Sequence, residues 1–97
     1  VECEWDEAKN LANQKKHGIS FDEAQELLLS DTDALELADA DHSDHEQRYK
    51  LIGPIVRGIV TVVFTERGED VTRIISARCA TKHEIEMYQR YKEQSHD

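Results

Sequence analysis

Residues 48–78, RYKLIGPIVRGIVTVVFTERGEDVTRIISAR, decide the fold. Three runs, Arg48–Ile55, Ile59–Glu66 and Val71–Arg78, are rich in β-branched and aromatic side chains that suit a pleated, half-buried surface. Between them stand Val56-Arg57-Gly58 and Arg67-Gly68-Glu69-Asp70, the Gly and Asp positions favouring turns. Strands joined by breaks this short read as an antiparallel meander, since parallel neighbours need a longer crossover. Alternation then sorts the side chains by face. A two-residue turn at Val56-Arg57 puts Tyr49, Leu51, Val60, Val62 and Phe64 on a core face, and Arg48, Lys50, Ile52, Ile59, Thr61, Val63 and Thr65 on an opposite, open face. A four-residue loop at 67–70 pairs Val63 with Ile74, sending Ser76 and Arg78 to the open face and Arg73 to the other. An odd loop reverses both assignments. In a regular strand Arg73 and Arg78 have opposite parity, so one site cannot receive both.

Working outward, Cys3–Trp5 reads as a short opening strand and Asp6 as the cap of a helix from Glu7 to about Lys16, with Ala8, Leu11 and Ala12 as its narrow apolar stripe. His17-Gly18 ends it, Gly suiting the left-handed position after a helix. Ser20 and Glu23 form a capping box, flanked by an Ile19/Ala24 staple, and open a second helix with Phe21, Ala24, Leu27 and Leu28 toward the core. Leu29–Asp33 turns, Ala34–Ala38 is an edge strand, and Asp39–Glu46 is an acidic loop. Thr81 and Glu84 form a second capping box for a helix from Lys82 to about Gln94, striped by Ile85, Tyr88 and Tyr91. The order is β-α-α-β-β-β-β-α. The expected fold is therefore a single α+β domain, an antiparallel sheet of about four to five strands with two N-terminal helices on one face and a C-terminal helix.

At 97 residues the chain suffices for one core. Cys3 and Cys79 are far apart in sequence, so neither a disulfide framework nor a zinc module is indicated and both thiols are expected reduced. No apolar run approaches a membrane span, and VECEWDEAKN is acidic where a secretory signal is basic and then apolar, so a cytoplasmic protein is expected, without membrane contact. The net charge of −9 opposes unspecific affinity for polyanions, but it is unevenly spread. Residues 1–46 hold fourteen acids and three bases, whereas residues 47–82 hold seven bases and three acids. A stretch of net +4 can hold a phosphate backbone locally.

EWDEAKNLANQKKHGISFDEA (4–24), DADHSDHEQRYKLIG (39–53) and TERGEDVTRIISARCATKHEIEMY (65–88) together cover nearly the whole chain, and neither KHGISF nor RIISAR is a generic helix or strand sequence. In these segments the chain resembles the BrnT family of toxins. The resemblance implies a RelE-like fold, RNA cleavage without metal or other cofactor, arrest of translation, and neutralisation by a BrnA-like ribbon-helix-helix antitoxin, with operator DNA reached only through that antitoxin. It also implies function for the basic residues in and after the last strand, which match Arg78 and, four residues on, Lys82, a position often held by Arg in relatives.

Such cleavage requires the 2′-hydroxyl to lose a proton, the phosphorane to be stabilised and the 5′-oxygen to gain a proton. Arg78 is the candidate for phosphorane stabilisation, with Lys82 at the first position of the last helix, where free amides favour an anion. Arg48, Lys50 and Arg73 are candidates for holding the RNA backbone. His17 and Glu66 are the candidate proton-transfer groups, with His83 behind them. Each has a plainer reading: Arg78 as a structural ion pair with an acid of the first half, His17 as a helix end, Glu66 as a hairpin charge. Asp39, Asp41, His42, Asp44 and His45 are potential ligands in neither an EF-hand nor a zinc spacing, and a solvated loop is the expectation, with no metal site. The alternative to an endoribonuclease is a catalytically weak homologue that binds an antitoxin and co-represses its own operon.

Overall fold

The computed structural model describes residues 2–30, 33–39 and 46–94. Its elements are β1 (Glu2–Glu4), α1 (Glu7–His17), α2 (Phe21–Leu29), β2 (Leu35–Ala38), β3 (Arg48–Ile55), β4 (Gly58–Glu66), β5 (Val71–Cys79) and α3 (Lys82–Gln94). The five strands form one sheet in the order β1-β5-β4-β3-β2. The meander β2 to β5 is antiparallel throughout, whereas β1 pairs parallel to β5 through Glu2–Val71, Cys3–Thr72 and Glu4–Arg73. The sheet is thus mixed, because a three-residue strand carries no local signal for its partner or direction. Both cysteines are free.

The helix boundaries follow their caps. Asp6 accepts the Ala8 amide at 2.8 Å, Gly18 closes α1 in the left-handed region at φ 74°, and Ser20 and Glu23 form both halves of the capping box of α2. Ile19, Phe21, Ala24 and Leu27 pack on Ile55, Val60, Val62, Ile74 and Ala77, forming the main core on one face of the sheet. At Gly53 a β-carbon would stand 2.8 Å from Leu27 Cδ1 and 3.0 Å from the Ala34 β-carbon, so a side chain there would displace Leu27 and press on Ala34.

The anchoring of α1 departs from the sequence expectation. Ala8 and Ala12 are exposed and Leu11 is 61% exposed, while Asn10 and Asn13 are the buried residues. The reason is hydrogen bonding. Asn10 Oδ1 accepts the Phe21 amide at 2.8 Å, and Asn13 donates to the Ile19 and Ala77 carbonyls, both at 2.8 Å, while accepting the Ala77 amide at 3.2 Å. Beyond its short pairing with β1, β5 leaves backbone groups without a strand partner, and the Asn13 amide meets Ala77 as a neighbouring strand would. Two asparagines therefore do what an apolar stripe does elsewhere.

The second face of the sheet is only partly open. α3 runs across it: Glu84 meets Thr61, Tyr88 is buried, and Tyr91 donates to Asp33 at 2.6 Å beside the start of β2. Arg78, Thr61, Ile52 and Leu35 lie opposite one another in a single row across β5, β4, β3 and β2. α3 covers that row, which explains why Ile52 and Thr61 on the expected open face are fully buried.

Candidate nucleic-acid interface

What α3 leaves uncovered is a basic surface. The β3–β4 turn has the two-residue geometry expected, with Ile55 opposite Gly58, so Arg48, Lys50, Val63 and Thr65 share the second face. The β4–β5 connection differs. The Arg67 amide donates to the Val71 carbonyl at 2.9 Å, leaving Gly68-Glu69-Asp70 in the loop, with Gly68 and Asp70 at φ 68° and 63°. This odd loop pairs Thr65 with Arg73 and Phe64 with Ile74, turning Arg73 to the second face. A regular continuation would then turn Arg78 away. Instead the register shifts at Val63/Phe64, Ile75 is the extra residue of a bulge, and Val63 pairs with Ser76 and Thr61 with Arg78. Arg73 and Arg78 consequently share one face despite their opposite parity, and Val63 meets Ser76 where the even loop would have paired it with Ile74.

On this face a shallow depression of about 190 Å³ is lined by Asp39, Arg48, Lys50, Val63, Ile75, Ser76 and Arg78. Arg48 pairs with Glu46 at 3.3 Å and Arg73 with Glu4 at 3.3 Å, whereas Lys50 makes no salt bridge among the described residues. A larger depression of about 330 Å³ lies at the β4–β5 loop end, lined by Glu46, Gln47, Tyr49, Thr65, Glu66 and Arg67; its two carboxylates suit a phosphate less well.

Arg78 is held firmly. Its Nη1 and Nη2 donate to the two carboxylate oxygens of Glu84 at 2.6 and 2.9 Å, and Nη1 also reaches the Cys79 carbonyl at 3.3 Å. The ion-pair alternative for Arg78 is therefore present, but with an acid of α3 and not of the first half. Lys82 is the first residue of α3 and exposed. Glu66 is exposed at the end of β4 and, by strand alternation, on the face opposite Thr65; His17 is half-buried at the end of α1. Neither lines the basic depression nor bonds to Arg78 among the described residues, so the structure does not assemble them with it. Of the potential metal-ligating loop, residues 40–45 lie outside the described residues, and no group of three or more His, Cys, Asp or Glu gathers among the described ones. Among those residues no helix is long and apolar enough to cross a membrane.

Residues 5–84 match the family described as "Ribonuclease toxin, BrnT, of type II toxin-antitoxin system". The chain belongs to the BrnT toxin family. The crystal structure of the Brucella abortus ribonuclease toxin BrnT superimposes with a TM-score of 0.63 at 26% identity, covering 84% of this chain and 100% of the Brucella chain. No curated protein matches it. The stretch matching BrnT contains the whole meander, Arg78 and Lys82, and its last residue is Glu84.

Glu84 is the member of this BrnT surface that sequence reasoning missed. Its spacing from Thr81 identifies it as a capping-box residue, and it is one: its carboxylate accepts the Thr81 amide at 2.9 Å while its own amide donates to Thr81 Oγ1 at 3.1 Å. It also accepts Thr61 Oγ1 at 3.0 Å and the Arg78 fork, and its side chain is only 10% exposed. Burial alone pushes this carboxyl up, but the hydrogen bonds from Arg78, the Thr81 amide and Thr61 outweigh it and hold the pKa at about 2. Glu84 in turn raises the pKa of Arg78 above its already high ordinary value. The sequence signal for Glu84, six residues after Arg78, was its capping-box spacing from Thr81; the row that joins Thr61 to Arg78 arises only from the register shift between β4 and β5.

Proposed function

We propose that this BrnT-family toxin is an endoribonuclease that cleaves RNA without metal and so inhibits translation, and that a BrnA-like ribbon-helix-helix antitoxin neutralises it. The observation that carries the reading is the gathering of Arg48, Lys50, Arg73 and Arg78 on one sheet face of a protein whose net charge is −9. Glu46, Glu4 and Glu84 each pair with one of these bases, and Lys50 makes no salt bridge among the described residues. A polyanion that follows one direction across this face, such as an RNA backbone, uses these bases. In this reading Arg48 and Lys50 hold phosphates in the depression and Arg73 does so beside it on the same face, while Arg78 stabilises the charge that grows on the phosphorane; Lys82 does not line the depression and keeps its share of that role on the family resemblance alone. The reading gives His17 and Glu66 no proton-transfer step, since neither lines that surface.

Inducing the chain without its antitoxin, and then with the neighbouring antitoxin gene, tests the reading. Growth arrest with loss of RNA integrity, reversed by co-expression, is expected; unchanged growth and intact RNA at high soluble levels contradict it. A second reading, a weak toxin that acts mainly as antitoxin-bound co-repressor, draws support from the net charge and from the Glu84 carboxylate neutralising Arg78. It predicts operator binding by the complex together with intact RNA in the same induction.

A further inference from the structure

A capping-box glutamate needs to accept only one amide, that of the cap residue. Glu84 is buried and takes four donors, of which two come from Arg78. The pair engages the end edge of the guanidinium, formed by Nη1 and Nη2. A guanidinium has a second fork, the side edge of Nε–H and the remaining Nη2–H, equally able to grip two oxygens of one phosphate. Nε of Arg78 makes no hydrogen bond among the described residues, although the side chain is only 30% exposed. Arg78 lines the basic depression and Glu84 does not.

We infer that Glu84 is a positioning residue: it fixes the end edge of Arg78 so that the side edge faces the depression as a preset fork for one RNA phosphate. The inference rests on the ribonuclease reading above. Two consequences have opposite signs. A carboxylate beside the site weakens the attraction for RNA. A guanidinium already held in place loses less freedom when it meets the phosphorane, and misplacement by an ångström slows a reaction substantially. Binding and turnover therefore respond differently to loss of Glu84, whereas a merely structural role moves neither once the protein is folded.

The test is cleavage of a defined RNA by wild type, Glu84→Gln and Thr61→Val, with ¹⁵N NMR of the Arg78 side chain. Gln preserves the cap and the shape while removing the charge; Thr61→Val loosens Glu84 without changing the charge. For Glu84→Gln the expected result is a kcat about tenfold to a hundredfold lower with KM unchanged or reduced. Thr61→Val should lower kcat by less and leave KM alone. In the wild type the two Nη groups of Arg78 should give separate signals, merging in Glu84→Gln. Should that variant fail to fold, Thr61→Val and the wild-type spectrum decide. Glu84→Gln cleaving as fast as wild type or faster overturns the positioning role alone and makes Glu84 neutral or a latch on Arg78. Merged Nη signals in the wild type also overturn it. A wild type that cleaves no RNA contradicts the ribonuclease reading and this role with it.

Discussion

Arg78 pairs with a carboxylate and lines a basic depression, and substitutions differ in what they leave behind. Ala at this position strands the buried Glu84 carboxylate, a loss of about 3 kcal/mol for a broken buried pair, so activity and stability fall together. Lys keeps a charge near Glu84 but cannot grip two partners through two forks. Arg78→Lys is therefore expected to stay folded while kcat falls roughly a hundredfold to a thousandfold, the usual effect of removing one transition-state donor. Arg57 is the matched control. It lies in the β3–β4 turn, donates to the Gly18 carbonyl and to Glu23, and is exposed, so Arg57→Ala should cost at most about 1 kcal/mol and leave kcat unchanged. Melting temperatures beside the rates separate the two effects. The same network makes stability depend on pH. The Glu84 carboxyl titrates near 2 in the folded protein against an ordinary 4.5, so its contribution is full above pH 4.5 and is lost as the pH falls toward 2. Glu23, lowered by the Ser20 amide and by Arg57, acts in the same direction. Urea unfolding at pH 6 and pH 3 should show a larger acid loss for wild type than for Glu84→Gln; equal losses contradict the assigned network.

Among the elements, caps and turns were legible in the sequence because their chemistry is local. Asp6, Gly18, Ser20 with Glu23 and Thr81 with Glu84 fix where helices begin and end, and Val56-Arg57 fixes the β3–β4 register. What the sequence hid depends on distant partners. The direction of β1 is decided by a strand some seventy residues away, the bulge at Ile75 by the pairing of β4 with β5, and the burial of Asn10 and Asn13 by backbone groups on other elements. Period-based reading looks for apolar residues on a helix face and passes over asparagines that bury themselves by hydrogen bonding. The two accounts of α1 give different outcomes. Asn13→Ala should destabilise the fold by about 2 to 4 kcal/mol, because the Ala77 and Ile19 backbone groups lose their partners in a buried setting. Leu11→Ala, at an exposed position, should change stability by no more than about 0.5 kcal/mol. Denaturant midpoints for the two variants check this, and the reverse order restores the apolar stripe.

The molecule as a whole separates its charge: an acidic first half supplies both helices of the core face, and the meander carries the bases of the opposite face. That division was visible in the sequence as a count, but its meaning depended on register, since only the bulge brings Arg73 and Arg78 to the same side. If four bases contact single-stranded RNA, the logarithm of affinity should fall with the logarithm of salt at a slope of about −3, and Lys50→Ala should reduce that slope by about 0.7. A slope near zero, or one unaffected by Lys50, places RNA elsewhere or nowhere on the protein. The measurement closest to the central claim is the rate at which the purified chain cuts a defined RNA in excess chelator, compared among wild type, Arg78→Lys and Arg57→Ala. Cleavage by wild type and Arg57→Ala, and its near-complete loss in folded Arg78→Lys, is the result expected; intact RNA with wild type, cleavage abolished by the chelator, or equal rates for all three proteins contradicts the account.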